Sequence, residues 1–209
     1  MIEIVKPTAM LLWEEADAMY ALRTLECYGR VSWKSEDKIT DDSAPKFVKM
    51  ILHYGHESVI EHVSASVRFI VDRGVTHEIV RHRLASYTQE STRYCNYGKK
   101  GGGIRVIQPP FKHPLESFDV WFDCMLHAER GYLRLLELGE PPEIARSVLP
   151  TGVKTELIMT ANLREWRHFF KLRTAKAAHP QMREVTIPLL RQFQDVFKII
   201  FKDIVSETV

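Results

Sequence analysis

The sequence predicts an α+β fold, a single domain spanning residues 1–209 in which a mixed or antiparallel sheet is flanked by helices. Residues His62–Val71 alternate between apolar and polar side chains, as a half-buried strand does. Apolar residues recur at helical spacing between Val185 and Ile204, which indicates an amphipathic helix. The 209 residues contain no internal repeat, low-complexity tract or clear linker, so one domain is the simplest interpretation.

The first half of the chain predicts two strands and three helices. Ile2–Val5 is a short strand, and the apolar spacing of Met10–Leu25 is typical of an amphipathic helix. A second helix begins near the N-cap residue Ser43 and ends at Gly55. After the alternating strand, Gly74 turns the chain into a short helix, which leads into a basic segment predicted to continue as a loop.

The second half predicts more helix than strand. It begins with a strand at Ile104–Ile107, a long helix from Phe118 to near Gly139 and a short helix from Pro141 to Val148. A strand at Leu157–Ala161 and a helix at Arg164–Leu172 follow. The chain then forms a C-terminal helix, which Pro188 either kinks or starts.

Charge and cysteine content limit the function classes. The chain has 29 lysines and arginines against 27 acidic residues, a smaller basic excess than proteins bound to nucleic-acid backbone usually carry. Its three cysteines include no CxxC pair, which fits a reducing compartment. We recognise no signal peptide and no stretch of membrane-spanning length. A cytoplasmic protein with no nucleic-acid and no membrane partner is therefore expected.

The segment Arg81–Arg93 carries the clearest chemical signal. It combines three arginines, an imidazole, several hydroxyls, an amide and a carboxylate with few apolar residues. Guanidinium groups bind phosphate as planar bidentate donors, and hydroxyls add short bonds. Cations at a helix C-terminus also complement the helix dipole, but this accounts for Arg81 and Arg83 and not for Ser91 and Arg93. The segment predicts a site for a phosphorylated small molecule or a nucleic-acid backbone.

A histidine-rich segment is a weaker candidate. The histidines at positions 53, 56 and 62, with Glu57 and Glu61, have the residue types of a zinc site. However, Gly55 breaks the helix that paired histidine ligands need, and the HExxH order is absent. A polar pocket wall, in which Ser58 offers a donor to a ligand, is favoured over a metal site.

A third group of polar residues lies in the C-terminal half. Arg164 and His168 are four residues apart and share a helix face, with Arg173 expected just beyond that helix. Arg146 and Asn162 precede them. Each cation alone would be ordinary surface, but together with the basic segment they would form a cavity of converging arginines with one amide.

The usual motifs for a nucleophile or a phosphate loop are missing. Cys95 and Cys124 have no convincing partner, and buried inert thiols are the simpler interpretation. The sequence contains neither GxGxxG after a strand nor GxxxxGK[ST]. If a redox cofactor is used, its phosphates must be held by arginines.

Taken together, these motifs resemble those of a known family. Arg81-His82-Arg83, followed by Ser91 and Arg93, is similar to the signature RHR-x7-S-x-R of flavin-dependent thymidylate synthases. Further segments fall in the family's order: Gly55-His56-Glu57-Ser58, Arg73–Glu78, Ala145–Pro150, Asn162-Leu163-Arg164 and Leu172-Arg173. The resemblance implies a homotetramer that binds FAD and shares its sites between subunits. It also implies conversion of dUMP to dTMP, with 5,10-methylenetetrahydrofolate as carbon donor, NADPH as reductant and tetrahydrofolate as second product.

The resemblance also implies residue roles. Flavin contacts fall at Ser58, Arg81, His82, Arg83, Gln89, Asn162, Arg164 and His168. Nucleotide contacts fall at Glu78, Arg81, Gln89, Glu90, Ser91, Thr92, Arg93, Arg146 and Arg173, and no metal ligand is implied. Gln89 and Thr88 stand where many relatives carry Glu and Asn.

Arg173 is the implied catalytic residue, at the position that polarises the uracil ring. Uracil C5 is a poor nucleophile, and the chain lacks the activated thiol by which cysteine-dependent enzymes raise its electron density. A guanidinium at the N3/O2 edge would stabilise negative charge on the ring instead.

Three other functions are weighed against the flavin enzyme. They are a non-enzymatic nucleic-acid binder, a phosphate-sensing or structural oligomer, and a metal-dependent nucleotide hydrolase built on His53, His56 and His62. None of the three requires a flavin absorbance in the visible range.

Overall fold

The computed structural model describes residues 2–13, 17–99 and 102–206. The chain divides into two compact units, each built from separate segments. Unit 1 comprises Met1–Thr8, Phe69–Arg81 and Thr88–Leu157, and unit 2 comprises Ala9–Arg68, His82–Tyr87 and Ile158–Val209. Because neither unit is continuous in sequence, no linker marks a boundary between them.

Strands and helices are interspersed along the described residues. The strands are β1 (Glu3–Ile4), β2 (Thr8–Leu12), β3 (Ser64–Asp72), β4 (Ala85–Gln89), β5 (Arg105–Val106) and β6 (Lys154–Asn162). The helices are α1 (Asp17–Arg30), α2 (Ser43–His53), α3 (Arg73–Ile79), α4 (Pro114–Glu137), α5 (Pro142–Ala145), α6 (Leu163–Arg173), α7 (Pro180–Val196) and α8 (Lys198–Phe201). Short 3-10 helices cover Val31–Trp33, Glu36–Lys38, Glu57–His62 and Arg146–Val148.

Four of the strands form one sheet in the order β2-β3-β6-β4, and β1 pairs with β5 in parallel. β3 and β6 run antiparallel: Leu163 N bonds Val63 O at 2.9 Å near one end, and Arg73 N bonds Val153 O at 3.2 Å near the other. The predicted α+β class with an antiparallel sheet is thus confirmed.

Two strands lead directly into helices through side-chain caps. Asp72, at the end of β3, accepts a bond from Val75 N at 2.8 Å and starts α3. Asn162, at the end of β6, accepts one from Glu165 N at 2.9 Å and starts α6. A Cβ on Gly74 would lie 2.9 Å from the capping oxygen of Asp72, so glycine suits that position.

Each unit has its own core. In unit 1, Ile104, Val106, Tyr132 and Val153 are buried against one another beneath α4. Unit 2 is built around aromatic rings, including Trp166, which lies 5.0 Å from the Phe193 ring centroid. Edge-to-face and tilted rings at such distances stabilise a core beyond the area they bury. The helix α6 therefore has one face fixed in this core.

Most predicted elements are confirmed. The β3 strand buries Ala65, Val67, Phe69 and Val71 on one face, as the alternation predicts. Gly55 follows α2 with φ of +74°, a conformation that favours glycine. Among the described residues, no helix is both long and apolar enough to cross a bilayer.

Three local predictions are wrong. The start of the predicted helix Met10–Leu25 is instead β2, and α1 begins at Asp17, with residues 14–16 outside the described ranges. The expected loop after Arg83 contains β4. Arg173 is the last residue of α6 and does not lie beyond the helix. Of the two alternatives for Pro188, the start of the helix is excluded, because Pro188 lies inside α7 and the first residue of α7 is Pro180.

Candidate functional site

The basic segment is divided by burial. Arg81 and Arg83 are exposed in the turn between α3 and β4, whereas the His82 side chain between them is buried. β4 then carries the chain to Gln89. The three residues of the Arg-His-Arg motif therefore have different surroundings, and only the two arginines face solvent.

Unit 1 contains a cluster of Glu90, Lys154, Glu156 and Tyr97, the carboxylate–lysine cluster. Lys154 Nζ donates to Glu90 Oε2 at 3.1 Å and to Glu156 Oε1 at 2.5 Å. The Tyr97 hydroxyl donates to the other Glu90 oxygen at 2.9 Å, and burial, with the Glu90 charge beside it, raises the pKa of Tyr97. Glu90 is thereby held in one orientation through both of its carboxylate oxygens.

Gln89 is fixed next to this cluster. Its Nε2 donates to Thr76 Oγ1 at 3.0 Å and to Thr155 Oγ1 at 3.3 Å. Arg73 Nη1 lies 3.5 Å from the same Thr155 hydroxyl and from the Glu90 carbonyl oxygen. Two neighbouring residues predicted to contact nucleotide, Gln89 and Glu90, are therefore positioned by unit 1 itself.

A turn after β4 brings together several residues that are predicted to contact the nucleotide. Arg146 Nη1 donates to the Thr92 hydroxyl at 3.2 Å, and the Arg93 amide donates to Ser91 Oγ at 3.3 Å. Arg93 also pairs with Glu143 at 3.5 Å, with more than half of its side chain exposed. The hydroxyls of Ser91 and Thr92 and the guanidinium of Arg93 in this turn, with the guanidinium of Arg146 bonded to it, form a donor set suited to a phosphate.

Two more residues of unit 1 that are predicted to contact the nucleotide, Glu78 and Arg81, lie near the end of α3. Glu78 is half-buried in the last turn of α3, and Arg81 is exposed directly after that helix. Both lie on the segment that leads into the Arg-His-Arg motif.

Unit 2 contains a hydrogen-bonded series of Glu165, His82 and Arg173. His82 Nδ1 lies 2.9 Å from Glu165 Oε1, and Arg173 Nε donates to His82 Nε2 at 3.1 Å. Burial lowers the pKa of His82 below its usual 6.5. The positive charge of Arg173 lowers this pKa as well, whereas the hydrogen bond to Glu165 raises it. The predicted catalytic guanidinium is therefore held by a neutral imidazole.

A cavity of about 610 Å³ lies beside this series in unit 2. Its lining includes Asn162, Arg164, His168 and Lys171 of β6 and α6, together with the carboxylates of Glu57, Glu61 and Glu165. Arg164 Nη1 donates to Glu61 Oε1 at 2.5 Å, and this bond raises the pKa of Arg164. The cavity is thus lined by several cations, three carboxylates and an amide.

Three of the predicted flavin residues, Asn162, Arg164 and His168, line this cavity. Ser58 and Arg83 are both exposed and are not among its lining residues. Asn162 uses Oδ1 for the helix cap, so its Nδ2 group is the part that suits a ligand.

Several functional candidates were not predicted from the sequence. Lys154 and Glu156 lie on β6 before the predicted strand start, and Glu165 and Arg167 lie among helix residues. Arg167 forms a two-bond pair with Asp203, each bond 2.7 Å long, and it also donates to Glu57 Oε1 at 3.1 Å. The one available signal was for Glu165, an acidic residue three positions after an N-cap asparagine.

One group of three possible metal ligands exists among the described residues. It consists of His82, Glu165 and His168, whose ligand atoms lie within 4.8 Å of one another. Arg173 donates to His82 within this group, so a divalent cation would meet a positive charge there. The histidines proposed for a hydrolase are elsewhere and contact aromatic rings: His62 with Tyr28, His56 with Trp33, and His53 with Tyr54.

Comparisons with known proteins match one protein family over most of the chain. The family model described as "Thymidylate synthase complementing protein" (Thy1) matches residues 13–197. A flavin-dependent thymidylate synthase of Pyrococcus furiosus is 37% identical over 169 residues, covering 79% of this chain and 68% of that protein. One of Geobacter sulfurreducens is 33% identical over 192 residues, covering 90% of this chain and 82% of that protein.

A solved structure shares the fold. The crystal structure of the UMP/dUMP methylase PolB from Streptomyces cacaoi, bound with 5-Br dUMP, superimposes with a TM-score of 0.77. The superposition covers 96% of this chain and 95% of the PolB chain, at 22% sequence identity.

Proposed function

Because the chain belongs to the flavin-dependent thymidylate synthase family, we propose that it methylates dUMP to dTMP with 5,10-methylenetetrahydrofolate as carbon donor and bound FAD. The observation that carries this proposal is the family match over residues 13–197, which includes the intact Arg-His-Arg segment. NADPH is the proposed reductant, and the proposed assembly is a homotetramer in the cytoplasm. No specific observation favours the alternative, a non-enzymatic oligomer that binds phosphate or nucleic acid.

The residues proposed to contact the nucleotide are Glu78, Arg81, Gln89, Glu90, Ser91, Thr92, Arg93, Arg146 and Arg173. All of them except Arg173 lie in unit 1. The turn that holds Thr92 against Arg146 supplies hydroxyl and guanidinium donors for the phosphate of dUMP. Binding energy gained at the phosphate then serves to orient the distant ring.

The residues of unit 2 fit a flavin dinucleotide. Their chemistry matches its parts, since Arg164, His168 and Lys171 suit a pyrophosphate, and the carboxylates of Glu57 and Glu61 accept bonds from ribose hydroxyls. The cavity volume lies within the roughly 300–1,000 Å³ typical of small-molecule sites. The proposed flavin residues are Ser58, Arg81, His82, Arg83, Gln89, Asn162, Arg164 and His168. When bound, the reduced flavin would supply the hydride that the reductive methylation of dUMP requires.

In this mechanism Arg173 stabilises charge on the substrate. A guanidinium beside the N3/O2 edge of uracil favours the resonance form with negative charge on the ring, which raises electron density at C5. C5 can then attack the methylene carbon without covalent addition of a thiol at C6. Arg173 donates from Nε to His82, so the planar group has a defined orientation before substrate arrives.

The first test uses the purified protein and an Arg173→Ala variant. The wild type should show the visible absorbance of bound flavin and form dTMP from dUMP, methylenetetrahydrofolate and NADPH. Arg173→Ala should lose about 100-fold or more of kcat while keeping flavin, because one preorganised charge is removed from the ring. The matched control is Arg191→Ala, an exposed arginine of α7, which should retain wild-type turnover.

The outcome that contradicts the proposal is equally visible. A colourless protein that binds single-stranded nucleic acid, with affinity falling steeply with salt, would establish the non-enzymatic alternative. Sedimentation of the flavin-bound protein tests the tetramer separately.

A further inference from the structure

The Glu165–His82–Arg173 series links a buried carboxylate to the proposed catalytic guanidinium. His82 is 4% exposed and Glu165 is 7% exposed, whereas Arg173 is half-buried. Glu165 is anchored by its own backbone amide, which donates to Asn162 Oδ1 at 2.9 Å. The Phe169 ring packs against the imidazole with centroids 4.9 Å apart. Packing and hydrogen bonds thus fix the imidazole plane.

The bonds of the series define one tautomer of His82. An arginine Nε always carries its proton and donates, so His82 Nε2 must be the unprotonated acceptor. The proton of the neutral imidazole then lies on Nδ1 and is donated to Glu165 Oε1. The Glu165 carboxylate stabilises this Nδ1-protonated tautomer by accepting its proton. In the Nε2-protonated tautomer, the imidazole N–H would face the Arg173 Nε–H, and neither group could accept a bond from the other.

We propose that His82 and Glu165 are positioning residues that hold the guanidinium of Arg173 in the orientation needed to polarise the pyrimidine. This inference rests on the proposed function, because it assigns a task to Arg173. It gives His82 a role besides flavin contact and gives Glu165 a first role. Neither residue needs to touch the nucleotide, since each acts through Arg173.

The arrangement makes the site sensitive to protonation of His82. A second proton would occupy Nε2 and place an N–H against the Arg173 Nε–H, so the guanidinium would lose its acceptor and face a like charge. The groups around the imidazole are Glu165, His168 and Arg173 of α6, and Tyr87 of β4, whose hydroxyl donates to the His82 carbonyl. Activity should therefore fall on the acid side of pH 6.5, as His82 becomes protonated.

The experiment compares His82→Phe with His82→Gln in the flavin-bound enzyme. Phenylalanine keeps a ring against Phe169 but removes both nitrogens, whereas the glutamine amide oxygen can accept from Arg173 in place of Nε2. With flavin bound, we expect His82→Phe to lose about 10- to 100-fold in kcat/KM for dUMP, as removal of a bond to a charged group does. His82→Gln should recover most of this loss, and its activity should not fall with acid as the wild type does, because an amide does not titrate.

A double variant separates positioning from a merely structural role. If His82 acts through Arg173, adding His82→Phe to Arg173→Ala should not lower kcat/KM for dUMP further. Glu165→Gln provides a second route if His82→Phe does not fold, and it should shift the acid limb of the pH profile because the charge that stabilises the tautomer is lost.

The outcomes decide between clear alternatives. Equal kcat/KM for wild type and His82→Phe, or loss of flavin with no change specific to dUMP, overturns the positioning role while leaving the proposed function intact. Additive losses in the double variant also overturn it. A wild-type protein with no dUMP-dependent turnover overturns the proposed function and the inference together.

Discussion

Replacing Lys154 by methionine removes an ammonium group that lies between two carboxylates of unit 1. The Lys154 side chain is 2% exposed, that of Glu90 is 14% exposed and that of Glu156 is 32% exposed. Methionine fills a similar volume, so the change removes charge more than packing. Glu90 and Glu156 would then be left without their shared cation.

The expected loss in the free energy of unfolding is about 3 kcal/mol. Breaking a buried ion pair by removing one partner typically costs about 3–5 kcal/mol. The lower end applies, because Glu156 retains access to water and Glu90 keeps its bond from the Tyr97 hydroxyl. For a chain of 209 residues this corresponds to a fall in Tm of about 6–12 °C.

The assay is urea and thermal unfolding at fixed protein and flavin concentrations. The matched control is Lys46→Met, whose exposed ammonium lies 3.5 Å from Asp42, and it should change stability by less than about 1 kcal/mol. Adding Glu90→Gln to Lys154→Met should recover about 1 kcal/mol, because one stranded charge is removed. If Lys154→Met were as stable as Lys46→Met, the buried ion pairs would not contribute and this reasoning would be refuted.

Two other predictions concern the thiols and the C-terminal ion pair. A variant with all three cysteines changed to serine should still form dTMP, and loss of turnover with flavin retained would contradict a thiol-free mechanism; the positions are Cys27, Cys95 and Cys124. The bond from Arg167 lowers the pKa of Asp203 below 3.8, so the pair stabilises the fold above that pH and loses its effect as pH falls further. Asp203→Asn should thus cost about 1 kcal/mol near neutral pH, and a difference unchanged at acid pH would contradict the pair.

The fold was predictable where one face of an element is buried, and less so at sheet edges. β3 lies inside the sheet, and its apolar alternation revealed it. β2 is an edge strand whose outer side is completed by Gln192, which donates to Ala9 O and accepts from Leu11 N, each at 2.9 Å. That partner is 181 residues from Leu11, and local spacing carries no trace of it. β4, at the other edge, has the polar sequence of a loop.

The site was predictable to the extent that its residues form a sequence motif. His82, Asn162 and Arg173 were named as candidates from the family resemblance, and their roles stay predictions. Glu165 could not be assigned a role, because its partner His82 is 83 residues away and only folding joins them. The same holds for Lys154, which meets Glu90 across 64 residues. Supporting contacts of this kind depend on strand pairing and helix packing, which motifs do not record.

The division into units suggests how substitutions should separate kinetically. Every residue proposed for the nucleotide lies in unit 1 except Arg173, which belongs to unit 2. Phosphate binding by Thr92 and Arg146 therefore depends on the packing of unit 1, whereas the orientation of Arg173 depends on α6 and His82. Because phosphate contacts bind substrate and transition state alike, weakening them should raise KM. Because charge on the ring develops mainly during reaction, disturbing the Glu165–His82–Arg173 series should lower kcat instead.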